Sequence, residues 1–313
     1  MDVGVIGTGF MGKNHIRNYS EMKSVDSVFI YDVDEQSTND IEEHYSNIDG
    51  NVYACKSMES FVDVSDAISI CVPTQYHKNT IENILKIKNV DMLIENPMCH
   101  TTSEALKLLK ILPKYNIIGV GHTERFSPII PEIAKIIKDP LYIEFKRYEP
   151  SSPLYKIDGS NVVKDLMIHD IDIMRELFCK CPTSVYSVGN YDIYNVIIMC
   201  GLLPIHLSAS RESSKKIRSI YIEMGESTLE ADCLRQEITI YNKPNEFNLD
   251  KNKYSQENLV KKILVKKVEP LREELETFIN CSIKHIPFPV SVDDAINNLM
   301  ICDSIYNKGI YPM

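Results

Sequence analysis

The residues best suited to chemistry lie at the start of the chain. Asp2-Val3-Gly4-Val5-Ile6-Gly7-Thr8-Gly9-Phe10-Met11-Gly12 is an apolar run that stops at a glycine and continues with the spacing G-x-G-x-x-G. Gly7 lets the chain turn off a strand, Gly9 leaves room for a pyrophosphate to approach the backbone, and Gly12 lets the next helix pack closely. That helix would aim its free N–H groups and the positive end of its dipole at the phosphates. A second apolar run, Val28-Phe29-Ile30-Tyr31, ends in Asp32, where the pattern requires an acid for the ribose hydroxyls. A carboxylate there accepts from a ribose 2′-OH and repels a 2′-phosphate. No arginine follows in Tyr31-Asp32-Val33-Asp34-Glu35. The expectation is therefore NAD, with NADP disfavoured.

A second cluster lies in Val163 to Phe178. At 100° per residue Asp165, His169, Asp172 and Glu176 share one face, opposite Met167, Ile171, Met174 and Phe178. Taken alone, this is the usual solvated face of an amphipathic helix. A group that takes a proton from a hydroxyl must titrate near neutrality, and histidine, here His169, is the side-chain type suited to that task. Asp165, one turn earlier, would orient or charge-balance it. Asp172 reads as a packing residue that caps or pairs with Arg175. Asp170 falls in the apolar arc and requires a buried partner. His285, His206 and His100 are isolated and read as structural, and no spacing of His, Cys and Asp suggests a metal site.

The elements that must position these residues alternate. A polar helix and loop over 35–51, a short strand Val52-Tyr53-Ala54-Cys55 and a helical turn at Met58-Glu59-Ser60-Phe61 precede a buried strand, Ala67 to Val72. That strand ends at Pro73-Thr74, a helix follows His77, and Asp91 to Glu95 is the next strand. Thr101-Thr102-Ser103-Glu104 is a capping box, and Ile117-Ile118-Gly119-Val120 closes the series. Strands alternating with helices imply a doubly wound parallel sheet with ligands at the carboxyl ends of its strands. Gly7, Asp32, Pro73, Thr74, Glu95 and Gly121 fall at such ends. The later chain begins with a helix capped by Ser127 with Pro128 in its first turn, then a strand over 141–147. The loop from Glu149 to Asn161 is either a substrate cover or a plain surface connection. Short strands from Val185 to Tyr241 imply an antiparallel sheet. The surface excursion 243–258, a helix from Pro270 and a last helix, Asp293 to Lys308, follow.

The motifs, in their order, resemble the glucose–fructose oxidoreductase/inositol dehydrogenase (Gfo/Idh/MocA) family. The resemblance is carried by Gly7 to His15, Cys71-Val72-Pro73-Thr74 with His77, Glu95-Asn96-Pro97, and Asp165-Leu166-Met167-Ile168-His169-Asp170-Ile171-Asp172. The run from Val120 to Phe126 and the His169 run are most similar to nucleotide-sugar 3-dehydrogenases, which act on UDP-N-acetylglucosamine-type substrates. The resemblance implies an NAD-binding Rossmann domain, residues 1–121, and a substrate-binding and oligomerisation α+β domain, residues 122–313. The latter has a large, mostly antiparallel open sheet, and its last helix packs back near the first domain. It further implies cofactor contacts from Gly7, Gly9, Phe10, Met11, Gly12, Asp32, Val72, Pro73, Thr74, His77 and Glu95, catalysis by His169 with Asp165, and a homodimer or homotetramer formed through the sheet. The implied reaction is hydride transfer between NAD(H) and a sugar or nucleotide-sugar hydroxyl.

One position departs from the pattern. The family's Glu-Lys-Pro lysine, which helps the reacting hydroxyl lose its proton, is Asn96 here, and an amide neither titrates nor supplies charge. Lys13 and Lys164 are the nearest substitutes by sequence. Arg125 and Arg147 are the candidates for a substrate phosphate or carboxylate. Two rival readings follow: an NAD-dependent glycosidase-type enzyme, or a weakened protein that binds dinucleotide without turnover.

Bulk properties limit the alternatives. The chain has 313 residues, enough for two domains, and a net charge of −10 without a long basic run. Nucleic acid and anionic membranes are thus excluded as main partners, and no apolar run reaches spanning length. A cytoplasmic protein is expected. The 9 cysteines include no C-x-x-C pair and read as buried free thiols rather than a disulfide frame or zinc site.

Overall fold

The computed structural model describes residues 1–48, 50–150, 160–243, 248–250, 253–255 and 259–307. The chain forms two compact units. The first contains Met1–Phe126 and Glu269–Met300; the second contains Ser127 onward through the next strand, Ser160–Val268 and the chain from Ile301. The sequence reading divides the chain at 121/122; here the first unit extends to Phe126 and takes in a later segment.

The first unit is a six-stranded sheet built from β1 (Asp2–Ile6), β2 (Ser27–Tyr31), β3 (Val52–Ala54), β4 (Ala67–Ile70), β5 (Asp91–Glu95) and β6 (Ile118–Gly121), in the order β3-β2-β1-β4-β5-β6. Every pairing is parallel. Five helices connect these strands: α1 (Phe10–Ser20), α2 (Glu35–Ser46), α3 (Met58–Val64), α4 (Thr74–Ile87) and α5 (Thr102–Leu109). Because helices cover a parallel sheet on both faces, its central strands are apolar throughout: all four residues of β4 are buried.

Local signals set the helix starts. Asp34 accepts from the Ser37 amide to open α2, Ser57 from the Ser60 amide to open α3, and Thr101 with Glu104 forms the reciprocal capping box of α5. The returning segment supplies α8 (Pro270–Lys284), with proline in its first turn, and most of α9 (Val292–Tyr306). Phe288 packs so closely on β6 that a Cβ on Gly119 would lie 2.5 Å from its ring.

The second unit is built on an eight-stranded sheet. Its strands are β7 (Tyr142–Pro150), β8 (Ser184–Gly189), β9 (Ile193–Cys200), β10 (Leu203–Ser210), β11 (Glu212–Glu223), β12 (Ser227–Asp232), β13 (Glu237–Asn242) and β16 (Val260–Ile263). The order is β16-β13-β12-β11-β7-β10-β9-β8. All pairs are antiparallel except β7 with β10. β14 (Asn248–Asp250) and β15 (Lys253–Ser255) form a separate hairpin. Burial alternates along β7 with period two, so Ile143, Phe145 and Arg147 face the core.

Three expectations need correction. The helix after Phe126, α6 (Ile129–Ile136), is capped by Pro128 rather than by Ser127, whose buried hydroxyl has no hydrogen-bond partner among the described residues. Val163 to Phe178 is not one α-helix: Val163–Met167 is a π turn, and α7 runs Ile168–Leu177. The cysteines are not all free thiols, since Cys179 and Cys200 are joined in a disulfide. That bond links the chain just past α7 to the end of β9, a proximity that residues 21 apart do not announce in sequence. The expected cover loop, 149–161, lies largely outside the described residues.

Candidate functional site

The first unit holds a cavity of about 820 Å³ at the carboxyl ends of its strands. It sits where the strand order reverses between β1 and β4, the place where open α/β sheets bind ligands. Gly7, Gly9, Phe10, Met11, Asp32, Val72, Pro73, Thr74, His77, Glu95 and Asn96 all line it. Gly12, the remaining motif residue, faces the protein: a Cβ there would lie 1.8 Å from the Gly7 carbonyl oxygen. Gly7 turns with φ of +96°, and a Cβ on it would meet the Val72 nitrogen at 2.6 Å. Gly9 differs from both, since nothing lies within 4 Å of its would-be Cβ. The fold does not need that space; a ligand can occupy it.

The helix behind this opening suits an anion. Gly9 caps α1 without a side-chain hydrogen bond, and no acid occupies the first turn. At the next strand end, Asp32 is fixed before any ligand arrives. Its Oδ2 accepts from the Thr8 amide at 2.6 Å and the Thr8 hydroxyl at 3.0 Å, and its Oδ1 accepts from the Asp34 amide at 3.0 Å. A carboxylate so held keeps lone pairs for hydroxyl donors and repels a second anion. The cavity thus fits a dinucleotide on two observations, the open space over Gly9 and the pre-oriented acid.

The cavity's far wall is built at the end of β5. His15 Nε2 lies 2.6 Å from Glu95 Oε1, and the Asn96 amide donates to Glu95 Oε2 at 3.1 Å. Asn96, followed by a cis peptide to Pro97, has a buried Oδ1 without a hydrogen-bond partner among the described residues. His15, Cys71 and Glu95 bring ligand-type atoms within 4.8 Å of one another, a grouping from three elements that sequence spacing does not reveal. Burial pushes the Cys71 thiol well up, with Glu95 and Glu274 adding to it.

Sequence reasoning overlooked one wall. Tyr76, Asn79, Thr80 and Asn83 line the same cavity from α4. Their spacing of three and four is one helical face, a signal present in the sequence once α4 is known to begin at Thr74 rather than after His77. Met58, at the start of α3, also lines the cavity and carries no such signal.

The cation candidates go elsewhere. Lys13 lines a separate cavity of about 470 Å³ between α1 and α2, with Arg17, Asp40, His44 and Tyr45. Arg125 donates to the Pro289 carbonyl at 3.3 Å and stands 4.0 Å from Asp294. Arg147, read as a substrate contact, is 1% exposed and gives Nε and Nη2 to Asp170 Oδ1 at 3.0 and 2.7 Å. It is thus the buried partner that Asp170 requires, not a group held out to a ligand. Lys164 pairs with Asp303 at 2.7 Å.

In the second unit His169 is the second residue of α7, partly exposed, directly after the π turn. Such turns interrupt α-helices most often at functional sites. Asp165, in that turn, is gripped by Arg211: Nε and Nη2 donate to its Oδ2 at 3.0 and 2.7 Å. Arg211 also donates to the Ser160 carbonyl at 2.8 Å and is 3% exposed. Asp165 therefore shares its charge with an arginine 46 residues away, which the sequence did not single out. Asp172 is 1% exposed, in keeping with a packing role. His206 is tied to Glu144 at 3.0 Å across β7 and β10.

Residues 1–122 match the family described as "Oxidoreductase family, NAD-binding Rossmann fold". The UDP-N-acetylglucosamine 3-dehydrogenase of Acidithiobacillus ferrooxidans is 30% identical over 191 residues, 60% of this chain and 58% of that protein. An inositol 2-dehydrogenase of Rhizobium meliloti is 26% identical over 215 residues, 62% of this chain and 64% of its own length. The matches thus span less than two thirds of these curated relatives. A solved structure of the Acidithiobacillus ferrooxidans dehydrogenase superposes with a TM-score of 0.82 at 24% identity, covering 97% of this chain and 96% of that one. A levoglucosan dehydrogenase complex with NADH and levoglucosan gives 0.79 at 17% identity, covering 100% and 99%. These superpositions show that the two-unit fold is shared along the whole chain.

Proposed function

We infer, from a chain whose residues 1–122 belong to the Gfo/Idh/MocA oxidoreductase family, an NAD(H)-dependent oxidoreductase that acts on a sugar or nucleotide-sugar hydroxyl or keto group. The cavity at the strand ends, with the motif residues around an open Gly9 and a pre-held Asp32, carries this reading. NAD supplies the hydride acceptor when bound. The protein's part is to bind the pyrophosphate over Gly9 and the α1 amides, and the ribose at Asp32. Asp32 favours NAD over NADP, because a 2′-phosphate would face a carboxylate whose orientation is already fixed.

His169 takes the hydroxyl proton in the oxidative direction and returns it in the reverse direction. Asp165, held by Arg211, is the residue proposed to help position that imidazole. Asn96 offers a carbonyl oxygen to a hydroxyl or amide donor at the cavity wall. The similarity to UDP-N-acetylglucosamine 3-dehydrogenase supports a nucleotide-sugar substrate. Turnover of NAD with UDP-N-acetylglucosamine, followed by absorbance, tests the proposal; a wild type that binds NAD yet stays inactive across a nucleotide-sugar panel would overturn the substrate class.

Asn96 favours a second reading, a dinucleotide-binding protein with little turnover. Asn96→Lys separates the two, because a large rate gain identifies a weakened site. A homodimer or homotetramer is proposed through the open face of the eight-stranded sheet, where Tyr186, Val188, Ile197 and Tyr241 are exposed. A monomer mass by light scattering at micromolar concentration would exclude it. The expected cytoplasmic location stays a proposal; among the described residues no helix is long and apolar enough to cross a membrane.

A further inference from the structure

One wall of the cofactor cavity has no task in the binding of phosphate or ribose. Tyr76, Asn79, Thr80 and Asn83 form it from one face of α4, while Ile81 and Ile84 of the same helix are buried in the core. Thr80 is buried; Tyr76, Asn79 and Asn83 are exposed. Asn79 makes no side-chain hydrogen bond among the described residues. Asn83 Oδ1 accepts from Lys86 Nζ at 2.9 Å, so only its amide N–H groups are left for a further partner.

The order of the strands says which part of a dinucleotide meets this wall. Asp32 follows β2 and Glu95 ends β5, with β1 and β4 between those two strands. A dinucleotide with its pyrophosphate over Gly9 and a ribose on Asp32 carries its adenine off the β2 end, away from Glu95 and Asn96. The cavity is lined there by Val33, which is 93% exposed, and by Met58 at the start of α3. Because α3 packs against both β2 and α4, the same place is reached by the exposed face of α4. Val33, Met58 and the Tyr76 ring suit the flat faces of a base, and such contacts treat all purines alike. An asparagine amide does not. It accepts from the 6-amino group of adenine and donates to N7. In hypoxanthine both of those positions are acceptors, so one of the two bonds is lost whichever way the amide turns.

We propose that Asn79 reads the amino edge of the cofactor's adenine, with Tyr76 stacked on the ring, so that the cavity selects an adenine dinucleotide over its hypoxanthine counterpart. Asn79 takes this role rather than Asn83 because both ends of its amide are open to the base. The inference rests on the NAD reading of the cavity and adds to it a specificity-determining residue.

Calorimetric titration with NAD and with nicotinamide hypoxanthine dinucleotide tests the proposal without turnover. Wild-type protein is expected to bind NAD about tenfold more tightly, as for one bidentate amide–adenine pair. Asn79→Ala is expected to lose affinity for NAD alone, which brings the two dinucleotides to within about twofold of each other. Tyr76→Ala is expected to weaken both by about tenfold and to keep their ratio, because stacking is indifferent to the base edge. Alanine at an exposed helical position favours the helix, so both variants are expected to fold. Equal wild-type affinities for the two dinucleotides overturn the proposal and leave the NAD reading standing. So does an Asn79→Ala protein that keeps the wild-type ratio. A Tyr76→Ala protein with unchanged affinities overturns the stacking contact. A wild type that binds neither dinucleotide overturns the NAD reading, and the base contact with it.

Discussion

The cofactor cavity and the neighbourhood of His169 are positioned by different means. The cavity is shaped by backbone: three glycines, strand ends and amide donors set its walls. The region around α7 is shaped by paired charges, Arg211 on Asp165, Arg147 on Asp170 and Lys164 on Asp303. A backbone site tolerates little change in residue size. A charge-positioned site tolerates changes in size but not the loss of one partner.

Substitutions should break this contrast in a definite order. Gly12→Ala should have the largest effect, because its Cβ has nowhere to go at 1.8 Å from backbone; a loss above about 4 kcal/mol in denaturant unfolding is expected, the range of severe steric lesions. His169→Ala should leave NAD binding intact and lower kcat by about 10³-fold, or about 4 kcal/mol, in steady-state assays. An unchanged kcat would remove His169 from the chemistry. Asp170→Ala, which strands Arg147 in the core, should cost about 3 kcal/mol by the same unfolding measurement. The pair Arg147→Met with Asp170→Leu should recover most of that loss.

Gly9→Ala sharpens the comparison from the other side. With open space at its Cβ, stability should change by less than about 0.5 kcal/mol, while calorimetric NAD affinity falls about tenfold. The smallest effect should come from acid. Burial tends to raise the carboxyl of Glu144, but hydrogen bonds from Lys146 and His206 outweigh it; for Glu269, burial is likewise outweighed by Arg17 and Asn18. Both are thus held below the ordinary glutamate range. Their contribution is present above about pH 4.5 and is lost as pH falls through the lowered folded value, each under about 1 kcal/mol in a pH series of unfolding midpoints. Salt should weaken the more exposed Arg17–Glu269 pair more than Glu144.

The same contrast explains what was legible in the sequence. Glycine spacing, the acid at the end of β2 and the capping box of α5 report backbone needs, and backbone needs are local. The charge pairs are not: Arg211 reaches back 46 residues and the Cys179–Cys200 bond closes over 21. The parallel pairing of β7 with β10 joins strands separated by most of α7's surroundings, so no turn signals it. The π turn escaped because the wheel assumed 100° throughout, and a wider turn shifts the phase between Asp165 and His169. Tyr76 escaped because the helix was expected only after His77, four residues past the Thr74 at which α4 begins.

The late return of the chain to the first sheet bears on how the protein can be cut. Glycine at 119 accepts the ring of Phe288, the Val120 amide donates to the Val290 carbonyl at 3.2 Å, and Asn298 meets His122 at 3.2 Å. A recombinant fragment ending at residue 126 would therefore present β6 with an uncovered flank and would aggregate. A nucleotide-binding half for isotope labelling or crystallography needs 269–300 spliced on by a short linker.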